Sequence, residues 1–150
     1  MKTQVKEQIK KIITNIDGDQ RFTAAQKAVL RLLWVNWGRH FSQREIAKSE
    51  TWIGCHPEHE AEIMRGMLDT TTRMVRQIIR DLRVGHNIPI LSDRQGYWLP
   101  ETQEECDKYM ASMELRAKAQ ARAAVDTFNA MSEATGFTSE FMKKLQISIA

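Results

Sequence analysis

The stretch that most constrains this chain is residues 69–100, DTTTRMVRQIIRDLRVGHNIPILSDRQGYWLP, where a two-faced helix runs straight into a short return of extended chain. Val75, Ile78, Ile79 and Leu82 recur at helical spacing and make one apolar stripe, which a core has to cover. On the same wheel Arg73, Gln77 and Arg80 point almost the opposite way, with Thr70 and Arg76 at the flanks and Thr72 in the first turn. A helix fixed by its apolar side and offering guanidiniums and an amide on the other suits insertion into a major groove. Arg can bond two guanine acceptors at once, and Gln can do the same for adenine. A plain solvated helix face uses the same residue types, so the helix alone does not decide.

The segment after the helix shifts the balance. Gly85 and Asn87 end the helix, Ile88-Pro89-Ile90-Leu91 is an apolar run, and Ser92-Asp93-Arg94-Gln95-Gly96 reads as a turn. Tyr97-Trp98-Leu99 then returns before Pro100 stops the pairing. Arg94 and Gln95 sit at the tip, within reach of a phosphate or minor groove beside the helix. The run TTTRMVRQIIRDLR, followed by IPILSD and GYWL, resembles the winged helix-turn-helix family of the type found in the N-terminal domain of biotin repressors. In particular it is similar to small phage or prophage winged-helix proteins whose wing precedes a long, charged, alanine-rich helix. The resemblance covers residues 40–130. It implies a mainly α fold, with a short two-stranded wing and a long C-terminal helix, and a role as repressor, activator or replication-origin factor. The candidate DNA-binding residues are Thr70, Thr72, Arg73, Arg76, Gln77, Arg80, Arg94 and Gln95.

Charge placement agrees with a nucleic-acid partner. The net charge is only +3, but residues 69–95 hold five Arg against three Asp, while Glu58, Glu60, Glu62 and Glu101, Glu104, Glu105, Asp107 gather elsewhere. Lysines are spread through residues 2–11 without an apolar export segment, and no run is long enough to span a bilayer. The two cysteines, Cys55 and Cys106, form no paired framework and read as free, buried thiols. A cytoplasmic setting, in a bacterial cell or phage-infected host, is expected.

The rest reads as helix after helix. Residues 1–18 carry the stripe Val5, Ile9, Ile12, Ile13 and Ile16, with Lys2, Lys6 and Lys10 opposite, and are expected to be a separate N-terminal amphipathic helix. Residues 22–100 are expected to be the winged-helix domain. Thr23 and Gln26 make a capping-box pattern, and the helix they open is apolar almost all round to Trp37 before Gly38 closes it. Ser42 and Glu45 repeat the pattern and open SQREIAKS. Residues 50–68 then separate this helix from the arginine-rich one, a departure from the family pattern, and a short inserted helix is expected over 57–65 between Pro57 and Gly66. Either 42–49 or 57–65 is the helix that precedes the recognition helix. Cys55, His56 and His59, with His40, are zinc-type ligands, but no second pair stands at ligand spacing, so no metal or cofactor is expected.

Residues 101–136 are expected to form one long helix opened by a third capping box, Thr102 and Glu105. Cys106, Met110, Met113, Ala117, Ala121, Ala124, Phe128 and Met131 recur three or four apart, and this stripe suits homodimerisation better than folding back on its own domain. Gly136 ends the helix, and 137–150 is a short terminal helix or tail. No glycine-rich phosphate loop, nucleophile elbow or metal-binding histidine pair is present, so no enzyme is expected. Two functions of different class fit these residues: sequence-specific binding of double-stranded DNA by a dimer, or a winged-helix protein-interaction module that does not bind DNA.

Overall fold

The computed structural model describes residues 4–58, 60 and 69–150. The fold is mainly helical with one small antiparallel hairpin. In chain order come α1 (Gln4–Thr14), a 3-10 turn (Ile16–Gly18), α2 (Ala24–Val35), α3 (Gln43–Ala47), α4 (Glu50–Cys55), α5 (Asp69–His86), β1 (Leu91–Asp93), β2 (Gly96–Trp98), α6 (Gln103–Thr135) and α7 (Glu140–Ile149). The chain divides into two compact units, Met1–Cys106 and Asp107–Ala150.

Local chemistry sets the starts of the helices in the first unit. Thr23 accepts a hydrogen bond from the Gln26 N–H while the Gln26 side chain accepts from the Thr23 N–H, and Ser42 and Glu45 repeat this reciprocal arrangement ahead of α3. Ser49, which has no capping-box partner three residues on, accepts from the Trp52 N–H and opens α4. This helix lies at the start of the 50–68 segment, ahead of the short helix expected over 57–65. Trp52 is completely buried, and α4 packs against both α2 and α3. The helix expected over 57–65 lies largely outside the described residues, as do Lys2, His59, Glu62, Gly66 and the side chain of Thr70.

One core unites these elements. Val5, Ile9 and Ile16 of the N-terminal segment pack with Val29, Leu30 and Leu33 of α2, Ile46 of α3, Trp52 of α4 and Val75, Ile79 and Leu82 of α5. The first helix is therefore part of this core rather than a separate element. Phe41, Ile88, Ile90 and Leu99 close the core on the hairpin side. The helix α2 stops at Val35, where Asn36 caps it, and Val35 is 77% exposed, so α2 is not apolar-packed all round.

Cys55 is exposed and Cys106 half-buried, rather than both being interior, and both are free thiols. The third capping box forms by half. Thr102 accepts from the Glu105 N–H, but the Glu105 carboxylate instead accepts from the Trp98 indole at 2.6 Å and from the Glu101 N–H at 3.1 Å. That bond ties the start of α6 to the hairpin, and Cys106 still packs on the first core, so the unit boundary falls after Cys106 rather than at Pro100.

Candidate functional site

Helix α5 is held along one side and bare along the other. Val75, Ile79 and Leu82 are at most 1% exposed, Ile78 is half-buried, and α5 packs against α2 and against the short, double-capped α3. So α3 (Gln43–Ala47), within the 42–49 segment, is a helix that lies directly on α5. Opposite this seam Arg73, Arg76, Gln77 and Arg80 are exposed, and Thr72 is half-buried. Among the described residues Arg73, Arg76 and Arg80 have no ion-pair or hydrogen-bond partner. The Gln77 amide is engaged, donating to Asp81 Oδ1 at 2.8 Å one turn along the same helix. Reading a base edge with Gln77 therefore requires breaking an exposed hydrogen bond.

The hairpin starts later than the apolar run suggested. Ile88 and Ile90 are core residues without strand pairing, and β1 begins at Leu91. Asn87, at a φ of 56°, makes the reversal out of α5. Leu91 pairs with Trp98, Ser92 with Tyr97 and Asp93 with Gly96. On its other edge, β2 pairs with Phe41, where the Phe41 N–H donates to the Tyr97 carbonyl at 2.9 Å and the Tyr97 N–H to the Phe41 carbonyl at 2.8 Å. The hairpin is thus held by the segment that leads into α3.

Three side chains fix the tip relative to α5, and sequence reasoning singled out none of them for this role. Arg83 is the first. Its Nε donates to the Ile90 carbonyl at 2.7 Å, its terminal nitrogen donates to Ser92 Oγ at 3.1 Å, and the guanidinium lies 5.6 Å from the centre of the Tyr97 ring. An arginine fork can hold a backbone carbonyl and a hydroxyl together in this way, and a lysine cannot. Asp93 is the second, its Oδ1 accepting from the Gln95 N–H at 2.8 Å and the Gly96 N–H at 3.1 Å to shape the turn. His40 is the third, stacked flat on Trp98 with ring centres 3.9 Å apart and Nδ1 3.2 Å from Asp93. Partial desolvation pushes the Asp93 carboxyl up, but the two backbone donors and His40 outweigh it and leave the group below the ordinary aspartate range.

With this frame in place, Arg94 and Gln95 project into solvent at the tip, and Arg94 is unpaired among the described residues. A cleft of about 390 Å³ separates Gln43 and Arg44 of α3 from Asp93, Arg94 and Tyr97 of the hairpin, and the Gln43 amide donates to the Tyr97 hydroxyl at 3.1 Å. Arg44 is exposed at the cleft. The sequence offered no signal for it, because the cleft exists only once α3 and the hairpin are brought together.

No family model, curated protein or solved structure matches this chain. The site's meaning therefore rests on its own geometry. Among the described residues no group of His, Cys, Asp and Glu could hold a metal ion: His40 and His56 are committed to stacking on Trp98 and Trp52. Nor is any described helix long and apolar enough to cross a membrane. The arrangement offers, chemically, a set of fixed positive charges, Arg73, Arg76 and Arg80 on a rigid helix with Arg94 on a braced turn. Such a set suits a polyanion with regular phosphate spacing.

Proposed function

We propose that this protein is a winged helix-turn-helix protein of the phage or prophage type that binds double-stranded DNA sequence-specifically as a homodimer. In this reading α3 is the positioning helix, α5 the recognition helix and β1–β2 the wing. The observation that carries it is the exposed row Arg73, Arg76 and Arg80, unpaired among the described residues, directly opposite a buried seam. Some arginines elsewhere are paired, as in Arg21 with Asp19 at 2.7 Å and Arg39 with Glu45 at 3.1 Å, but no other described helix face gathers three unpaired ones opposite a buried stripe. Arg73, Arg80 and Gln77 would meet base edges, Thr70, Thr72 and Arg76 would flank them, and Arg94 and Gln95 would meet the neighbouring backbone. The homodimer would form through the 101–136 helix, which gives a two-fold protein and therefore an inverted-repeat operator. Transcriptional regulation or replication control in the cytoplasm is the corresponding role.

A second reading, a protein-assembly surface, draws on Val84, which is 72% exposed one turn beyond Arg80 on the same face. One valine among guanidiniums and an amide makes a poor anchor beside the buried aromatic clusters that dominate protein interfaces. Binding to random duplex DNA across a salt series separates the two. We expect log K to fall with log salt at a slope of about −3 to −4, one unit for each guanidinium seated on a phosphate. Arg73→Ala with Arg80→Ala should lower that slope by about one to two units and remove sequence preference, while Arg39→Ala, which breaks the pair to Glu45, should leave both unchanged. An absence of duplex binding even at low salt would favour the assembly surface.

A further inference from the structure

Arg44 and Arg94, both exposed and without a partner among the described residues, line one cleft from two sides instead of standing on α5. Arg44 comes from α3 and Arg94 from the hairpin tip, with Gln43, Ser92, Asp93 and Tyr97 also in the lining. The volume of about 390 Å³ falls at the lower end of the range that small ligands occupy, about 300–1,000 Å³. Two cations in one cleft repel each other, and an anion between them turns the interaction attractive on both sides. The Tyr97 hydroxyl accepts from the Gln43 amide at 3.1 Å, and its own hydrogen has no acceptor among the described residues. It therefore remains to donate to a ligand. Asp93 is the one carboxylate in the lining. Its Oδ1 accepts from the Gln95 and Gly96 N–H groups and its Oδ2 lies 3.2 Å from His40 Nδ1, so it is engaged by its own turn and by His40. The cleft also adjoins the arginine row. Arg83 follows Arg80 by three residues and Arg76 by seven, which sets the three on one side of α5, and Arg83 reaches Ser92 Oγ in the cleft lining at 3.1 Å.

We propose that this cleft is a phosphate-binding seat, in which Arg44 and Arg94 close on one phosphate group from two sides and the Tyr97 hydroxyl donates to it as well. A planar guanidinium fork matches two oxygens of a phosphate, and the tetrahedral group has further oxygens outside that plane for a second guanidinium and a hydroxyl. A carboxylate has only two oxygens in one plane, so a fork that takes both leaves the second arginine poorly served. The assignment of that phosphate to a DNA backbone rests on the reading above. Contiguity with Arg76 and Arg80 favours it, because a strand whose phosphates follow that side of α5 runs on toward the cleft. Arg44 then joins Arg94 on a single backbone phosphate. It adds affinity and register without adding to the number of phosphates neutralised. A free phosphate monoester presents the same oxygens and is the other source of this group.

Inorganic phosphate, exchanged for chloride at constant ionic strength, tests the seat on the full chain without DNA. In side-chain NMR the Arg44 and Arg94 Nε–H signals should shift together along one saturating curve, with a dissociation constant of about 1–10 mM. Arg116 and Arg122, exposed on α6 and also without partners among the described residues, should drift without saturating. Arg44→Gln should abolish saturation at Arg94, and Tyr97→Phe should weaken it about two- to tenfold. Acetate over the same range should not saturate. Duplex DNA then separates the two sources. For a backbone phosphate, Arg44→Gln should lower duplex affinity about three- to tenfold at unchanged helix content. Arg44→Gln with Arg94→Gln should reduce the salt slope by about one, as a single shared phosphate requires. A saturating phosphate curve with unchanged duplex affinity assigns the seat to a free phosphate ester. The absence of such a curve, equal drift at every exposed arginine, saturation by acetate, or a slope change of about two would overturn the proposal. A parent chain that binds no duplex removes the DNA reading and leaves the phosphate titration standing.

Discussion

Gly96 is the point at which the hairpin is most vulnerable. Its φ is +136°, and a Cβ built there would sit 2.2 Å from the Phe41 carbonyl carbon and oxygen and 2.6 Å from the Ser42 nitrogen. Nothing flexible can move aside, because the neighbour is backbone that is itself held by the reciprocal 2.8 and 2.9 Å bonds between Phe41 and Tyr97. Gly96→Ala therefore has two unfavourable contributions. The backbone conformation is one that only glycine adopts readily, which costs about 1–3 kcal/mol for a side-chain-bearing residue. Relieving the overlap means parting the Phe41–Tyr97 pair, at about 0.5–1.5 kcal/mol for each bond. If the chain relieves part of one strain by yielding to the other, the loss should come to about 2–4 kcal/mol, a large share of a typical domain's stability.

Urea unfolding reads this as a drop in midpoint at unchanged slope. Gly85→Ala is the internal control, since Gly85 lies within α5, has open space around it, and in a helix alanine is favoured by about 0.5–1 kcal/mol. We expect the two alanines to move stability in opposite directions. A loss of under about 1 kcal/mol for Gly96→Ala would refute the close approach to Phe41 and with it the bracing of the hairpin through that segment.

The same bracing sets two further outcomes. Arg83→Lys keeps the charge but loses the fork that spans the Ile90 carbonyl and Ser92 Oγ, and should destabilise the chain by about 1–2 kcal/mol in urea; a neutral result would mean that water replaces both bonds without loss. Asp93, whose folded carboxyl lies below its ordinary value, stabilises the turn at and above pH 4 and ceases to do so as pH falls through its depressed folded value. The Gln95 and Gly96 amide resonances should therefore titrate below the ordinary aspartate range, Asp93→Asn should abolish that titration while keeping the turn, and a midpoint at or above the ordinary value would contradict the assigned hydrogen bonds.

The features legible in the sequence are those whose partners lie three or four residues away. The caps at Thr23 and Ser42, the Val75–Leu82 stripe and the Asp93–Gly96 turn are local patterns, and each is present. Where a distant group competed for a residue, the pattern misled. Glu105 has the right spacing to complete a capping box with Thr102, yet the Trp98 indole takes its carboxylate, since satisfying a half-buried N–H outweighs a cap that water can also serve. Trp52, expected from the sequence in the core or at its rim, is fully buried, but α4 is too short to show a period, so its helix and its packing against α2 and α3 were not legible. The Phe41–Tyr97 bridge and the Arg83 clasp join residues far apart or across a turn, so no spacing rule could supply them.

The gathering of three exposed arginines on one face of a locked helix is the strongest internal support for a function at α5. An exposed ion pair contributes little to stability, so the lack of partners for Arg73, Arg76 and Arg80 among the described residues carries almost no folding penalty. Arg21, Arg39 and Arg83 are each engaged by a carboxylate, a carbonyl or a hydroxyl, whereas Arg44, Arg94, Arg116 and Arg122 are not, so lack of a partner alone does not mark out α5. Rigidity does distinguish them: they share a helix whose opposite side has no freedom to rotate, because Val75, Ile79 and Leu82 are locked in the core. Charges on so fixed a frame keep their mutual spacing when a ligand arrives, so little ordering entropy is lost on binding. Arg83 is committed to the hairpin, through the Ile90 carbonyl and Ser92 Oγ. Without it Arg94 would sit on a loose turn, and the fourth charge would no longer be held in register with the other three.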